Sequence, residues 1–382
     1  MNVQPEHQSE GVRMGTGPTE SETFTVIGDV RTPTLQWFVN GLKQRLIANG
    51  HSFREHPEPD IRLVLNVADS DNPQPYRRKA QATFATAIVE LDDVPENYLR
   101  VGYPFLVRTL ANLVILLVHT EAGLEAHFMT LEQGHYPVPF HTGDDAAFFD
   151  EIFRRIEPLA SSQLVINNIY NTDLESELWH GDGITAQIKR AGQKLDAMNL
   201  LPAPFPIHEI LAPRELRHVM RLYGIGGLSY GNLSARKDES RFWMSASGVN
   251  KGKLDVIGQD ILLVSAFDPV EPAIILSVPP EVQPRRVSVD AIEHWMIYHE
   301  HPSVGAIVHV HAWMDGISST EVNYPCGTIQ LARAVAELVR QEANPSQAII
   351  GLKNHGVTIT GTSMDEIFER IEGKIIPQVP MS

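Results

Sequence analysis

His309 and His311 stand two residues apart in an apolar, β-branched run, AIVHVHAW, at 306–313. An imidazole is costly to bury unless its nitrogens find partners. In a strand, residues i and i+2 leave the same face, so both rings lie close enough to grip one ion. A third histidine, His355, sits in LKNHGVTI at a glycine-bounded turn. Two ligands from one strand and one from a distant turn build a metal site with an open position. Three neutral imidazoles suit zinc, and also iron, cobalt or manganese. An ion there binds substrate and stabilises negative charge on its oxygens. The competing reading makes each histidine an ordinary satisfied residue of a strand or surface. The NHG turn, added to the pair, puts the metal reading ahead.

Chemistry at such an ion needs a proton carrier. Asp290 opens the helix that leads into the two-histidine strand, in VSVDAIEH, with Glu293 and His294 three and four residues on and near one helix face. A carboxylate there serves as a general base. Alternatively, Ser288 or Asp290 is an N-cap and Glu293 completes a capping pattern. Two loops, YGIGGLSYGNLSAR at 223–236 and MSASGVNKGKL at 244–254, are rich in Gly, Ser and Asn. Their backbone N–H groups and hydroxyls suit an anion, although tight turns explain each loop alone. The first follows a helix and enters a strand, the reverse of a dinucleotide fingerprint.

The elements that must position these residues follow from periodicity. In the second half, LAPRELRHVMRL predicts a helix, and GNLSAR, RFWMSAS, DILLVS and AIILS predict short strands. The helix SVDAIEHWMIYHEHP precedes the strand GAIVHVHAW, and the helix TIQLARAVAELVRQ precedes QAIIGLKNHGVTITG, two strands folded over the turn at 354–356. SMDEIFERIEGKI predicts a final helix. The first half alternates strands and helices on the scale of a layered α/β domain: TFTVIGDV, TPTLQWFVNGLKQRLIANG, DIRLVLNV, QATFATAIVEL, a helix running into LVILLVH, AAFFDEIFRRIEPLAS and the strand QLVINNIY. The expected organisation is a disordered tail at 1–21, an α/β domain of unknown role at 22–180, a proline-bearing linker at 181–205 and a second domain at 206–382.

Bulk properties narrow the class. The chain has 382 residues, long enough for two cores. Its formal charge of -16 argues against nucleic acid or an anionic membrane as a main partner. One cysteine, Cys326, allows no intrachain disulfide and fits a reducing compartment. The polar N-terminus lacks a signal-peptide core, and the most apolar run, LVILLV at 113–118, is too short to span a bilayer. A soluble cytoplasmic protein is expected.

The order GNLSAR, SASG, SVD…H, HVHA and NHG resembles the class II aldolase/adducin family, which includes the fuculose- and rhamnulose-phosphate aldolases. The resemblance covers about 205–380. It implies a three-layer α/β/α domain with a central, mainly antiparallel sheet. It implies a zinc ion, or another divalent metal such as Mn2+, Co2+ or Fe2+, on His309, His311 and His355. It matches Asp290 to the family's catalytic glutamate, and Asn232, Ser247, Gly248 and Ser288 to its substrate-phosphate ligands. It also implies a homotetramer, in which Tyr324 of a neighbouring subunit could complete the pocket. Three departures stand out: Val289 replaces the second phosphate-binding serine, the segment MDGISSTEVNYPC is short, and a long N-terminal α/β domain precedes the match.

The function expected is therefore a metal-dependent carbon–carbon lyase, an aldolase or decarboxylase. Its substrate would be a small hydroxy-carbonyl, sugar-like or hydroxy-acid molecule cleaved through a metal-stabilised enolate. Epimerisation by retro-aldol cleavage is a variant of the same chemistry. The alternatives are a non-catalytic binding or scaffold protein with a degenerate aldolase domain, and an iron-dependent oxygenase on the same three histidines.

Overall fold

The structure is a computed structural model and describes residues 22–78, 80, 83–130, 134–200, 207–222 and 231–382. The N-terminal tail and most of the 223–236 loop, on which expectations were placed, lie outside the described residues.

The first half runs β1 (Thr23–Gly28), α1 (Pro33–Ala48), β2 (Ser52–Arg54), β3 (Leu63–Val67), β4 (Phe84–Leu91), α2 (Tyr98–Thr109), β5 (Leu113–Thr120), β6 (Gly123–Thr130), β7 (His135–Pro139) and α3 (Asp145–Ser161). Its seven strands form one sheet in the order β2-β1-β3-β4-β5-β6-β7. The first five are parallel and the last two antiparallel. Parallel strands covered on both faces read as continuous apolar runs, and β5 shows how the sides divide. Leu113, Ile115 and Leu117 join α1 and α3 in one core, whereas Val114, Leu116 and Val118 join α2 in another. β6 and β7 were not anticipated. Pro137 and Pro139 obscure β7 in sequence and are tolerated because β7 is the sheet edge.

The chain continues with β8 (Asn167–Asn171), α4 (Gly183–Ala197), α5 (Ile207–Ile210), α6 (Pro213–Leu222), β9 (Gly231–Arg236), β10 (Phe242–Ser245), β11 (Ile261–Asp268) and β12 (Ala273–Ser277). It ends with α7 (Ala291–Glu300), β13 (Ala306–Val310), β14 (Ser318–Ser319), α8 (Ile329–Gln341), β15 (Ile349–Leu352), β16 (Gly356–Gly361) and α9 (Met364–Ile371). Nine strands make the second sheet, in the order β14-β15-β16-β13-β9-β10-β11-β12-β8. The expected mainly antiparallel sheet is present; among the described residues only the two edge pairs, β14 with β15 and β8 with β12, are parallel. Phe242 and Trp243 are adjacent on β10 and so point to opposite faces. Phe242 packs on Tyr298 of α7, and Trp243 donates to Asp182 at the start of α4. Helices α4 and α9 therefore lie on one face and α7 and α8 on the other, giving three layers.

The two halves trade elements across the expected linker. β8, expected within the first domain, pairs with β12 in the second sheet. The expected linker at 181–205 holds α4, opened by a capping box of Asp182 and Thr185. Asp182 also pairs with Lys237 at 2.7 Å, so α4 is fastened to the second sheet. In the opposite sense, Leu211 and Leu216 pack with α2 of the first half, beside an ion pair of Arg108 and Glu215 at 2.8 Å. Among the described residues no helix is long and apolar enough to cross a membrane.

Candidate functional site

Strand β13 lies between β9 and β16, with His309 opposite Asn232 on one side and Thr358 on the other. Two glycines permit this close approach. A Cβ on Gly231 would lie 2.1 Å from the His309 carbonyl oxygen, and one on Gly356 would lie 2.2 Å from that of Val310. The hairpin joining β15 to β16 turns through Asn354, whose φ of 58° is left-handed, and presents His355 next to the pair.

His309, His311 and His355 converge as the sequence predicts. One ligand atom from each lies within 4.8 Å of the others, and the ring centroids are 4.9–5.3 Å apart. His309 is fully buried, and its Nε2 finds no hydrogen-bond partner among the described residues. Burial, reinforced by neighbouring imidazoles, holds His309 and His355 well below the usual imidazole range. The lone pairs are therefore free for a cation. A buried, unpartnered nitrogen of His309 clustered with the rings of His311 and His355 is a donor set that suits a divalent ion.

Asp290 occupies the N-cap position of α7, yet its side chain caps nothing. Its Oδ2 instead accepts from Asn232 Nδ2 at 2.7 Å and from Ser288 Oγ at 3.5 Å. Its Oδ1 is buried without a partner among the described residues. The capping alternative is thereby corrected for both carboxylates. Glu293 accepts from Thr358 Oγ1 at 2.5 Å, and Thr358 Oγ1 lies 3.4 Å from His309 Nδ1. Burial and the neighbouring charge of Asp290 push the Glu293 carboxyl up to about 8, so it is mainly protonated at neutral pH. His294 is also fully buried, with Nδ1 2.7 Å from Ser234 Oγ. Burial lowers its pKa to about 4. Sequence reasoning missed Glu293 as a neighbour of the histidines; its i+3 position on Asp290's helix was the available signal.

Asn232 and Ser288 thus meet at Asp290. Ser247 and Gly248 lie on the neighbouring loop, where Ser247 N–H donates to the Arg286 carbonyl at 2.9 Å and Gly248 takes a left-handed φ of 64°. Lys251, behind this loop, is buried and donates to the Val249 carbonyl at 3.2 Å. Burial lowers its pKa to about 8. The first half also reaches the site, which the sequence did not suggest. Tyr136 of β7 hydrogen-bonds the side chains of Asn323 and Asn354, the latter adjacent to His355. Tyr324 packs against the second core within its own chain.

Residues 214–321 match the class II aldolase and adducin N-terminal domain. Methylthioribulose-1-phosphate dehydratase of Leptospira biflexa is 28% identical over 156 residues, covering 39% of this chain and 69% of that protein. The Citrobacter koseri protein of the same name is 26% identical over 172 residues, covering 37% and 78%. Among solved structures, L-fuculose-1-phosphate aldolase from Thermus thermophilus aligns with 18% identity and a TM-score of 0.32, over 49% of this chain and 86% of that one. An aldolase II superfamily protein from Pseudomonas syringae aligns with 16% identity and a TM-score of 0.30, over 48% and 71%. Residues 214–321, within the C-terminal half of this chain, carry the domain of the class II aldolase/adducin family.

Proposed function

We propose that the chain is a metal-dependent lyase acting on a small hydroxy-carbonyl substrate, with His309, His311 and His355 holding the metal and Asp290 as its acid–base. The observation that carries this reading is the three-histidine cluster with its buried, unpartnered His309 Nε2. A divalent ion held there supplies electrostatic stabilisation to charge developing on substrate oxygens.

The protein's own groups supply the rest. Asn232 fixes Asp290 through Oδ2 and leaves Oδ1 to accept a proton. In an aldol cleavage, Asp290 takes the proton of the substrate hydroxyl as the adjacent C–C bond breaks, and returns a proton to the carbon left behind. Glu293, carrying its proton, holds Thr358 against the ring of His309 without adding a second negative charge. Ser247, Gly248, Ser288 and Asn232 hold the polar end of the substrate. A second reading is dehydration, favoured by the two relatives named as dehydratases. There Asp290 removes a C–H proton next to the carbonyl and a hydroxyl departs.

The test begins with metal content and turnover in one preparation. Purified protein should carry about one divalent ion per chain at this centre and lose both ion and activity in His309→Ala/His311→Ala. Phosphorylated and unphosphorylated hydroxy-carbonyl compounds, methylthioribulose 1-phosphate included, separate the two readings by product. A protein that stays active after exhaustive chelation would refute the metal-dependent mechanism. The family resemblance extends the proposal to a homotetramer, which light scattering would measure directly.

A further inference from the structure

Glu22 immediately precedes β1, and His51 immediately precedes β2. The two strands are parallel, with Thr23 opposite Ser52, and Ser52 N–H donates to the Glu22 carbonyl at 2.9 Å. Glu22 and His51 therefore sit side by side at the same end of adjacent strands. Glu157, in the last turns of α3, lies over that end. One ligand atom from each of the three residues lies within 4.8 Å of the others.

We propose that Glu22, His51 and Glu157 form a second divalent-cation site, in the first half of the chain and separate from the three-histidine centre. His51 is the decisive residue. Its side chain is only 3% exposed, and its Nδ1 is buried without a hydrogen-bond partner among the described residues. That nitrogen lies 3.4 Å from Glu22 Oε2. Two ligands each ~2.1 Å from a tetrahedral ion stand about 3.4 Å apart, so the observed spacing accommodates both as ligands of one ion.

Electrostatics points the same way. Burial lowers the His51 pKa, which keeps the ring neutral and its lone pair available. Burial and the charge of Glu157 together raise that of Glu22, with Arg62 opposing. Two carboxylates thus face each other beside a neutral imidazole, and a dication satisfies all three at once. One nitrogen and two carboxylate donors suit zinc or manganese. An ion there would tie α3 to the edge of the first sheet. Directly after α3, Gln163 N–H donates to Gln330 Oε1 at 2.8 Å and its carbonyl accepts from Ile329 N–H at 3.0 Å. The ion would thereby brace the junction between the first half and α8.

The test counts zinc by mass spectrometry after loading with zinc chloride and desalting. Wild type should retain about two ions per chain, and His51→Gln, Glu157→Gln and His309→Ala/His311→Ala about one each. Glu157→Gln keeps the volume of a partly exposed helical side chain, so its circular dichroism should match wild type even if His51→Gln misfolds. Zinc retained in full by both His51→Gln and Glu157→Gln overturns the second site. A single wild-type ion lost only with His309 and His311 overturns it while leaving the proposed function standing. A single ion lost only with His51 or Glu157 supports it and sinks the proposed function.

Discussion

At the residue scale, the site pairs two carboxylates whose surroundings divide them. Asp290 is hydrogen-bonded by Asn232, whereas Glu293 is buried beside Asp290's charge and keeps its proton. Removing the amide with Asn232→Ala should leave Asp290 short of its buried donor. We expect kcat to fall by roughly 10- to 100-fold and stability by about 1–3 kcal/mol, read by steady-state kinetics and thermal melts. Glu293 also sets a pH dependence. Its folded pKa, about 8, stands above the ordinary 4.5, so folding binds a proton and its contribution is lost as pH rises between those values. His294, lowered from 6.5 to about 4, works in the opposite sense, favouring the folded state less as pH falls below 6.5. The two oppose each other below pH 6.5. Above pH 6.5 the His294 contribution has ended, and metal-free protein should lose stability with rising pH until Lys251, lowered to about 8, begins to oppose Glu293 near that value. That slope should vanish in Glu293→Gln; an unchanged slope would show that the carboxyl is ionised in the folded protein.

At the element scale, what was legible depended on distance along the chain. The His309–His311 pair was readable because strand geometry makes i and i+2 neighbours without help from the rest of the fold. The long apolar strands and amphipathic helices were readable for the same local reason. The partnership of Asn232 with Asp290, 58 positions apart, was not; the sequence offered a cap instead, since an aspartate at a helix start suits both roles. β7 was hidden by its prolines, and β14, with two residues, is too short to carry a period. The pairing of β8 with β12 crosses about a hundred residues and leaves no local mark. The glycines around β13 yield a sharp test. Gly356→Ala would thrust a methyl against the Val310 carbonyl and spread the hairpin that carries His355. We expect a loss of about 1–3 kcal/mol and metal affinity weakened by roughly 10-fold or more, measured by calorimetric titration.

At the scale of the whole molecule, the first half reaches the candidate site through Tyr136, which holds Asn323 and Asn354 beside the turn that carries His355. Tyr136→Phe removes the hydroxyl while keeping the ring. We expect about 1–2 kcal/mol of destabilisation and faster metal loss to a chelator, followed with a colorimetric zinc indicator. Unchanged metal release would confine Tyr136 to packing. The exchange of β8 and α6 between the halves reaches further. A genetic crossover at residue 205 would strip α6 from the helical cover on the first sheet and leave β12 an open edge on the second product. Each fragment would be insoluble or would seek its lost partner. A cut at residue 205, where the sequence suggests a linker, therefore cannot move the catalytic half intact onto a different neighbour.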